Sequence, residues 1–331
     1  MLLNHKHPPS STKNFSFGIK SIYEKNLAFR NLSETGAVMK DIITKANILI
    51  EALPYIRNFS GKTFVIKYGG AAQTEEKLKD AFAQDISLLS FIGIRPVIVH
   101  GGGPKISSTM EKMGKKPKFV HGQRVTDKET MDIVEMVLGG LVNKEIVSLI
   151  NKHGGKAIGL SGKDGELIKA KKKLVKKTSP EAGVEEIIDL GLVGEVTDIN
   201  SQVLESLEKE GFIPIISPIG TGEHGETLNI NADYVASAVA SRLKAEKLIL
   251  ITDVPGIKDK KGNTISTLSQ KQIKKLISEG TISGGMLPKT QACMKAIGGG
   301  VAKTHIIDGR TSHCLLLEIF TKKGIGTEIV K

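Results

Sequence analysis

The residues best suited to chemistry in this chain are cations and bare backbone set at the ends of apolar runs. Phe64-Val65-Ile66-Lys67-Tyr68-Gly69-Gly70 ends an apolar stretch in a lysine and two glycines. A lysine at the carboxyl end of a buried strand is costly unless its ammonium meets an anion, so Lys67 is a candidate to face a phosphate. The alternative is a side chain that snorkels past the strand end into water. Gly69 and Gly70 either let the backbone approach a ligand or simply make a turn. Val97-Ile98-Val99-His100-Gly101-Gly102-Gly103-Pro104 repeats the pattern more strongly. Proline at the first position of a helix, with bare amides ahead of it, describes an anion cradle at a positive helix end. His100 itself reads as a structural hydrogen-bonder. Gly284-Gly285-Met286-Leu287-Pro288 precedes Lys289, a second lysine that either reaches a phosphate or stands exposed in a first helical turn.

Arg124, in His121-Gly122-Gln123-Arg124-Val125-Thr126, offers a rigid fork of donors suited to a carboxylate. Asn229, Asn231 and Asp233 crowd a helix start, where capping alone accounts for them. Thr252-Asp253-Val254-Pro255-Gly256 ends a strand in turn residues, in a position that could hold a nucleotide. No Gly-Lys pair has the spacing of a P-loop. Gly220-Thr221-Gly222-Glu223-His224-Gly225 matches GxGxxG, but no helix opens at Gly225, so it reads as a turn-rich loop.

The elements that must hold these residues alternate. Apolar periodicity predicts strands at Thr63–Tyr68, Pro96–His100, Ala157–Ser161, Phe212–Ile216, Leu248–Thr252 and Thr304–Ile307. Helices are predicted at Glu75–Ser90, Pro104–Met113, Lys128–Lys152, Ser201–Glu210, Asn231–Leu243, Gln270–Glu279, Met286–Ile297 and Ser312–Phe320, with hairpin pieces across Glu166–Val196. Such alternation makes the fold α/β, with a mostly parallel sheet covered on both faces and ligands beyond the carboxyl ends of its strands.

Composition closes off other classes. The 331 residues carry 47 Lys and Arg against 35 Asp and Glu, a net charge of +12, and 40% are apolar. The positive residues do not interleave with aromatics that could stack on bases, which argues against nucleic acid, and anionic small molecules account for the sign. The densest basic run, Lys169 to Lys177, reads as a solvated hairpin edge. Basic residues break every apolar stretch well short of a membrane span. Cys293 and Cys314 can build neither a disulfide framework nor a four-ligand zinc site, which fits a reducing compartment.

Residues 1–38 are Ser-rich, acid-poor and without apolar period, and read as a disordered extension, a transit segment or a misplaced start. Met39, Ile42, Ile43, Ala46, Leu49, Ile50 and Leu53 then mark one face of an amphipathic helix. Pro54 is expected to kink or end it near Leu53, so that Tyr55 to Phe59 point elsewhere.

Taken in order and spacing, the Lys67, His100–Pro104, Arg124–Thr126, Asn229–Asp233, Thr252-Asp253 and Gly284–Lys289 stretches resemble the acetylglutamate kinases of the amino-acid kinase family, over about Met39 to Lys331. The resemblance implies a three-layer αβα sandwich around an open, mainly parallel sheet. It places an oligomerising kinked helix at 39–59, an amino-acid-substrate lobe at 60–232 and a nucleotide-binding lobe at 233–331. It implies ATP with Mg²⁺, N-acetyl-L-glutamate as substrate and phosphorylation of its side-chain carboxylate. Lys67 and Lys289 would flank the migrating phosphoryl group and Asp233 would hold them. Gly70, Gly102 and Gly103 would donate amides, Arg124 would clamp the α-carboxylate, Asn229 would bind the acetylated portion, and Thr252 and Asp253 would serve the nucleotide. No dedicated metal cluster is implied. The arginine-sensitive members add an effector site for arginine, here at Tyr55, Glu318 and Gly324, and a homo-oligomer, dimer or hexamer. A PII-type regulator binds some relatives. The setting is cytoplasmic, or a plastid if residues 1–38 are a transit segment.

Overall fold

The computed structural model describes residues 36–120, 122–178 and 185–331. They fall into two compact units, divided between Pro54 and Tyr55. The extension expected at 1–38 lies almost wholly outside the described residues. Helix α1 spans Gly36–Phe59, so it opens before Met39 and does not end at Pro54. Proline removes only one main-chain hydrogen bond, to the carbonyl of Ile50, an exposed residue in a position to be solvated instead.

The larger unit is built on one eight-stranded sheet. Its strands are β1 (Thr63–Tyr68), β2 (Arg95–His100), β5 (Ala157–Ser161), β8 (Ile213–Ser217), β11 (Lys247–Thr252), β12 (Thr267–Ser269), β13 (Lys303–Asp308) and β14 (Thr327–Val330). They lie in the order β12-β14-β13-β11-β1-β2-β8-β5. The six strands from β13 to β5 are parallel, while β14 runs antiparallel to β13 and carries β12 parallel to itself. β12 and β14 are too short to give a period in the sequence.

The sheet is buried on both faces, and strand alternation separates two cores. Phe64, Ile66, Ile98 and Ile215 pack on one side with α2 (Glu76–Phe91), α3 (Gly103–Lys112), α4 (Lys128–Glu135), α5 (Asn143–Lys152) and α10 (Cys314–Ile319). Val65, Val97, Val99, Leu248 and Leu250 pack on the other with α6 (Ser201–Lys209), α7 (Ala232–Arg242), α8 (Gln270–Ser278) and α9 (Met286–Gly298). This is a three-layer αβα sandwich, as expected from the alternating pattern. A small closed sheet of β6 (Ile168–Thr178), β7 (Glu185–Ile199), β9 (Ile219–Thr221) and β10 (Thr227–Ile230) joins the second layer.

Two local features depart from the sequence pattern. The single helix expected at Lys128–Lys152 is α4 and α5 joined by a π-helical segment, Met136–Val142, around Gly139 and Gly140. A two-residue hairpin of β3 (Phe119–Val120) and β4 (Gln123–Arg124) carries Arg124, whereas His121 at its tip lies outside the described residues. The lysine run sits on β6, where Lys171 and Lys172 are exposed and paired with Glu195 and Asp189 across the hairpin. No helix among the described residues is long and apolar enough to cross a membrane.

Candidate active site

The site forms where parallel strands β1, β2 and β11 end together. Lys67 stands in register with Val99 of β2 and Leu250 of β11. The two-residue period puts it on the Val65 side of the sheet, where α7 and α9 pack. There its ammonium lies 3.3 Å from Asp233 Oδ1, and Lys289, from the first turn of α9, lies 2.9 Å from Oδ2. The Lys289 contact is a hydrogen bond, whereas the Lys67 contact leaves Oδ1 without one. The helix-cap question resolves here: Asn231 is the cap, accepting the Asp233 N–H at 2.8 Å, which leaves the Asp233 carboxylate to reach the lysines.

All three groups are largely withdrawn from water. Burial pushes the Asp233 carboxyl up, but the ammoniums of Lys67 and Lys289 more than reverse this, so it lies below the usual carboxylate range. Burial pushes Lys67 down; Asp233 pulls it up and Lys289 opposes, and the net value is below an ordinary lysine. Two ammoniums brought to one point form an arrangement that a phosphate can bind.

Backbone crowds this point closely. Gly70 has φ +72°, and a Cβ there would overlap the Asp253 carboxylate; one on Gly69 would overlap the Lys67 ammonium. Asp253, exposed at the end of β11, therefore lies beside the lysine cluster, and its charge raises the pKa of Lys67. Thr252 is buried in front of it, and its carbonyl accepts the Gly309 N–H at 2.8 Å. Gly102 caps α3, and a Cβ on it would sit 2.5 Å from Leu138 Cδ2 of the π segment. Neither the Gly102 nor the Gly103 N–H meets a protein acceptor among the described residues.

Beside the cradle is a cavity of about 210 Å³, lined by Gly102, Gly103, Phe119, Arg124, Leu138 and Asn229 among others. Arg124 is 7% exposed and its guanidinium meets no carboxylate among the described residues. It donates to the Gly103 carbonyl at 3.0 Å and Ser107 Oγ at 2.8 Å, contacts Met110 Sδ at 3.2 Å and lies 4.7 Å from the Phe119 ring centroid. Burial alone lowers its pKa. Asn229 donates to Thr126 Oγ1 at 3.3 Å, and Thr126 Oγ1 donates to the Arg124 carbonyl at 3.0 Å, so one buried hydroxyl ties these two residues together.

The structure thus brings Lys67, Gly70, Gly102, Gly103, Arg124, Asn229, Asp233, Thr252, Asp253 and Lys289 to one end of the sheet. Tyr55, Glu318 and Gly324 gather elsewhere, around a separate cavity of about 220 Å³. The sequence pattern assigns no role to Ser107, Phe119 or Leu138, and Thr126 enters it only as part of the Arg124 turn. Of these only Leu138 had a local signal, the Gly139-Gly140 pair inside a helical pattern.

Bare backbone amides at converging strand ends, two lysines on one carboxylate and a buried arginine beside a cavity lie together, an arrangement suited to moving a phosphoryl group to a small acid. The chain belongs to the amino acid kinase family, whose profile matches residues 62–308, and within it groups with acetylglutamate kinases. It is 58% identical to the acetylglutamate kinase of Sulfurihydrogenibium sp. (strain YO3AOP1), over 88% of this chain and 99% of that protein. It is 57% identical to that of Geotalea uraniireducens (strain Rf4), over 88% of this chain and 100% of the relative. Among solved structures, N-acetylglutamate synthase of Neisseria gonorrhoeae, complexed with coenzyme A and N-acetyl-glutamate, superposes with a TM-score of 0.73 at 27% identity. That match covers 86% of this chain and 63% of the synthase. Giardia carbamate kinase, at 17% identity and a TM-score of 0.59, covers 82% of this chain and 99% of its own and shares the fold.

Proposed function

We propose that this enzyme transfers the γ-phosphoryl group of ATP to the side-chain carboxylate of N-acetyl-L-glutamate, giving N-acetyl-L-glutamyl 5-phosphate for arginine biosynthesis. The observation that carries the reading is the Lys67–Asp233–Lys289 cluster beside a cavity whose buried Arg124 has no anionic partner among the described residues. A carboxylate oxygen attacks the γ-phosphorus, the bond to the β,γ-bridging oxygen breaks, and ADP leaves with that electron pair. No base is required, because the attacking carboxylate is already ionised at neutral pH. What the protein must supply is alignment and charge: Lys67 and Lys289 on the transferring group, Gly70, Gly102 and Gly103 amides on its oxygens, Asp233 holding both lysines. Arg124 takes the α-carboxylate, Asn229 the acetylated amino group, and Thr252 and Asp253 serve the nucleotide end. In this reading residues 60–232 hold the amino-acid substrate and 233–331 the nucleotide.

Magnesium enters with ATP as part of that substrate. No group of three or more His, Cys, Asp or Glu side chains suited to a metal occurs among the described residues. Coupled ADP release with N-acetylglutamate, glutamate, aspartate and carbamate tests the assignment. N-acetylglutamate should dominate, and preference for an unacetylated acid would overturn it.

Feedback by arginine is part of the same reading. Tyr55, Glu318 and Gly324 share one cavity with Lys247 and His305, and the Tyr55 ring meets Phe320 edge-on at 6.2 Å. Glu318 would answer the guanidinium; its oxygens already accept from His305 Nδ1 at 2.6 Å and from the Ile325 and Gly326 amides, so arginine must share them. The exposed apolar stripe of α1 supports a ring of dimers, a hexamer. Deleting residues 1–59 should leave a dimer by light scattering and weaken arginine inhibition; a persistent hexamer would remove that role. A cytoplasmic setting belongs to the same proposal.

A further inference from the structure

His100 is fully buried at the end of β2, and the reaction described above makes no use of it. Its partners fix both the tautomer and the direction of its one proton. Asn143, the first residue after the π segment and itself fully buried, directs Nδ2 at the Ile215 carbonyl, 2.8 Å away, and at the Leu160 carbonyl, 3.4 Å away. Turning this amide over would set an oxygen against those carbonyl oxygens, so Nδ2 is the nitrogen and the Lys144 ammonium meets Oδ1 at 3.3 Å. The same Nδ2 lies 3.2 Å from His100 Nε2; one of its two protons serves Ile215 and the other is shared between Nε2 and the more distant Leu160 carbonyl, and an N–H on Nε2 would face this amino group, so Nε2 accepts. Nδ1 then carries the proton and donates it to the Gly101 carbonyl at 2.9 Å. Burial, with Lys144 adding to it, pushes the ring's pKa down to about 4, against the pull of the Gly101 carbonyl.

The C=O and N–H of one trans peptide point in opposite directions. The carbonyl of Gly101 and the amide of Gly102 belong to the same peptide unit. Pinning that carbonyl on His100, with Gln73 Nε2 as a second donor at 3.4 Å, therefore sets where the Gly102 N–H points. Gly102 lines the substrate cavity and also a second cavity shared with Gly70 and Gln73.

We propose that His100 is a positioning residue for phosphoryl transfer: held as the Nδ1–H tautomer by Asn143, it fixes the Gly101–Gly102 peptide so that the Gly102 amide faces the transferring phosphoryl group. This rests on the phosphoryl-transfer reading of the site. An amide aimed at charge that develops in the transition state lowers kcat when lost, with KM little changed.

The test joins ring nitrogen NMR on the wild-type enzyme, labelled with ¹⁵N-histidine, to kinetics of two variants. The His100 signals, assigned by their loss in His100→Asn, should show Nδ1 protonated and Nε2 bare across about pH 6 to 8. His100→Leu should lower kcat by about 10- to 100-fold, with KM for both substrates within about threefold. His100→Asn keeps a donor near Nδ1 and should recover kcat to within about fivefold of wild type. An Nε2–H tautomer, an imidazolium at neutral pH, or a folded His100→Leu enzyme with full kcat would each overturn the proposal. The ring measurement requires no turnover, so it decides the tautomer even if the substrate assignment fails.

Discussion

Lys67 and Lys289 come from distant parts of the chain and are held on the two oxygens of one carboxylate, at 3.3 and 2.9 Å. Neither lysine is placed by local structure alone: strand register delivers one and the first turn of α9 the other. Asp233→Asn should therefore lower kcat, because the two ammoniums lose the charge that holds them together. Removing one partner from a buried ionic group destabilises by about 3–5 kcal/mol, so its melting midpoint should also fall. Kinetics and calorimetry on the same sample check both; unchanged kcat with a lowered midpoint would confine Asp233 to a structural role.

Gly102 is a glycine because of what stands over it. A methyl there would meet Leu138 Cδ2 at 2.5 Å and Val142 Cγ2 at 3.4 Å, and Leu138 is only 2% exposed. Gly102→Ala should lower kcat by about tenfold through displacement of the cradle. Adding Leu138→Ala should return part of the loss, giving a coupling of about 1 kcal/mol or more in a double-mutant cycle. Strict additivity of the two changes would mean that the π segment does not shape the cradle.

Arg124 should act on substrate binding. Arg124→Ala removes hydrogen bonds to a charged ligand worth about 1.5–3 kcal/mol, so KM for N-acetylglutamate should rise about 10- to 150-fold, with KM for ATP little changed. Arg124→Lys should recover little of this, since an ammonium cannot reproduce the fork that spans Gly103 and Ser107. Equal rises in both KM values would place Arg124 outside the substrate clamp.

A pH-dependent contribution to stability lies away from the site. Asp85 is 1% exposed; burial pushes its carboxyl up to about 6, although His313 Nδ1 at 2.6 Å and the Leu315 and Leu316 amides pull it down. A carboxyl that binds its proton more tightly when folded stabilises most in its protonated form. Its contribution is full below about pH 4 and declines as pH rises to 6. Melting midpoints of Asp85→Asn should therefore gain on wild type between about pH 4 and pH 6, whatever the constant offset between the two proteins. A pH-independent difference would contradict the raised carboxyl.

Much of this was legible in the sequence because the site sits at strand ends, and a strand is read from its apolar run. Lys67, the His100–Pro104 cradle and Thr252-Asp253 all follow such runs, so order along the chain placed them at one edge of a parallel sheet. Asn231 and Asp233 were ambiguous, since either could cap α7; only geometry assigns the cap to one and the lysines to the other. Ser107 and Thr126 act through contacts across the chain that leave no local pattern. The continuation of α1 past Pro54 runs against the local rule, since the lost bond is single and at an exposed turn.

In the proposed reaction two lysines stabilise a phosphoryl group on its way to a carboxylate, and the acyl phosphate itself is the witness to follow. Hydroxylamine converts such a product to a hydroxamate, which can be counted against ADP released. Wild-type enzyme with ATP, Mg²⁺ and N-acetylglutamate should give hydroxamate and ADP in equal amounts, and Lys67→Ala should form both more slowly by on the order of a hundredfold or more. Hydroxamate formed by Lys67→Ala at the wild-type rate would contradict the account.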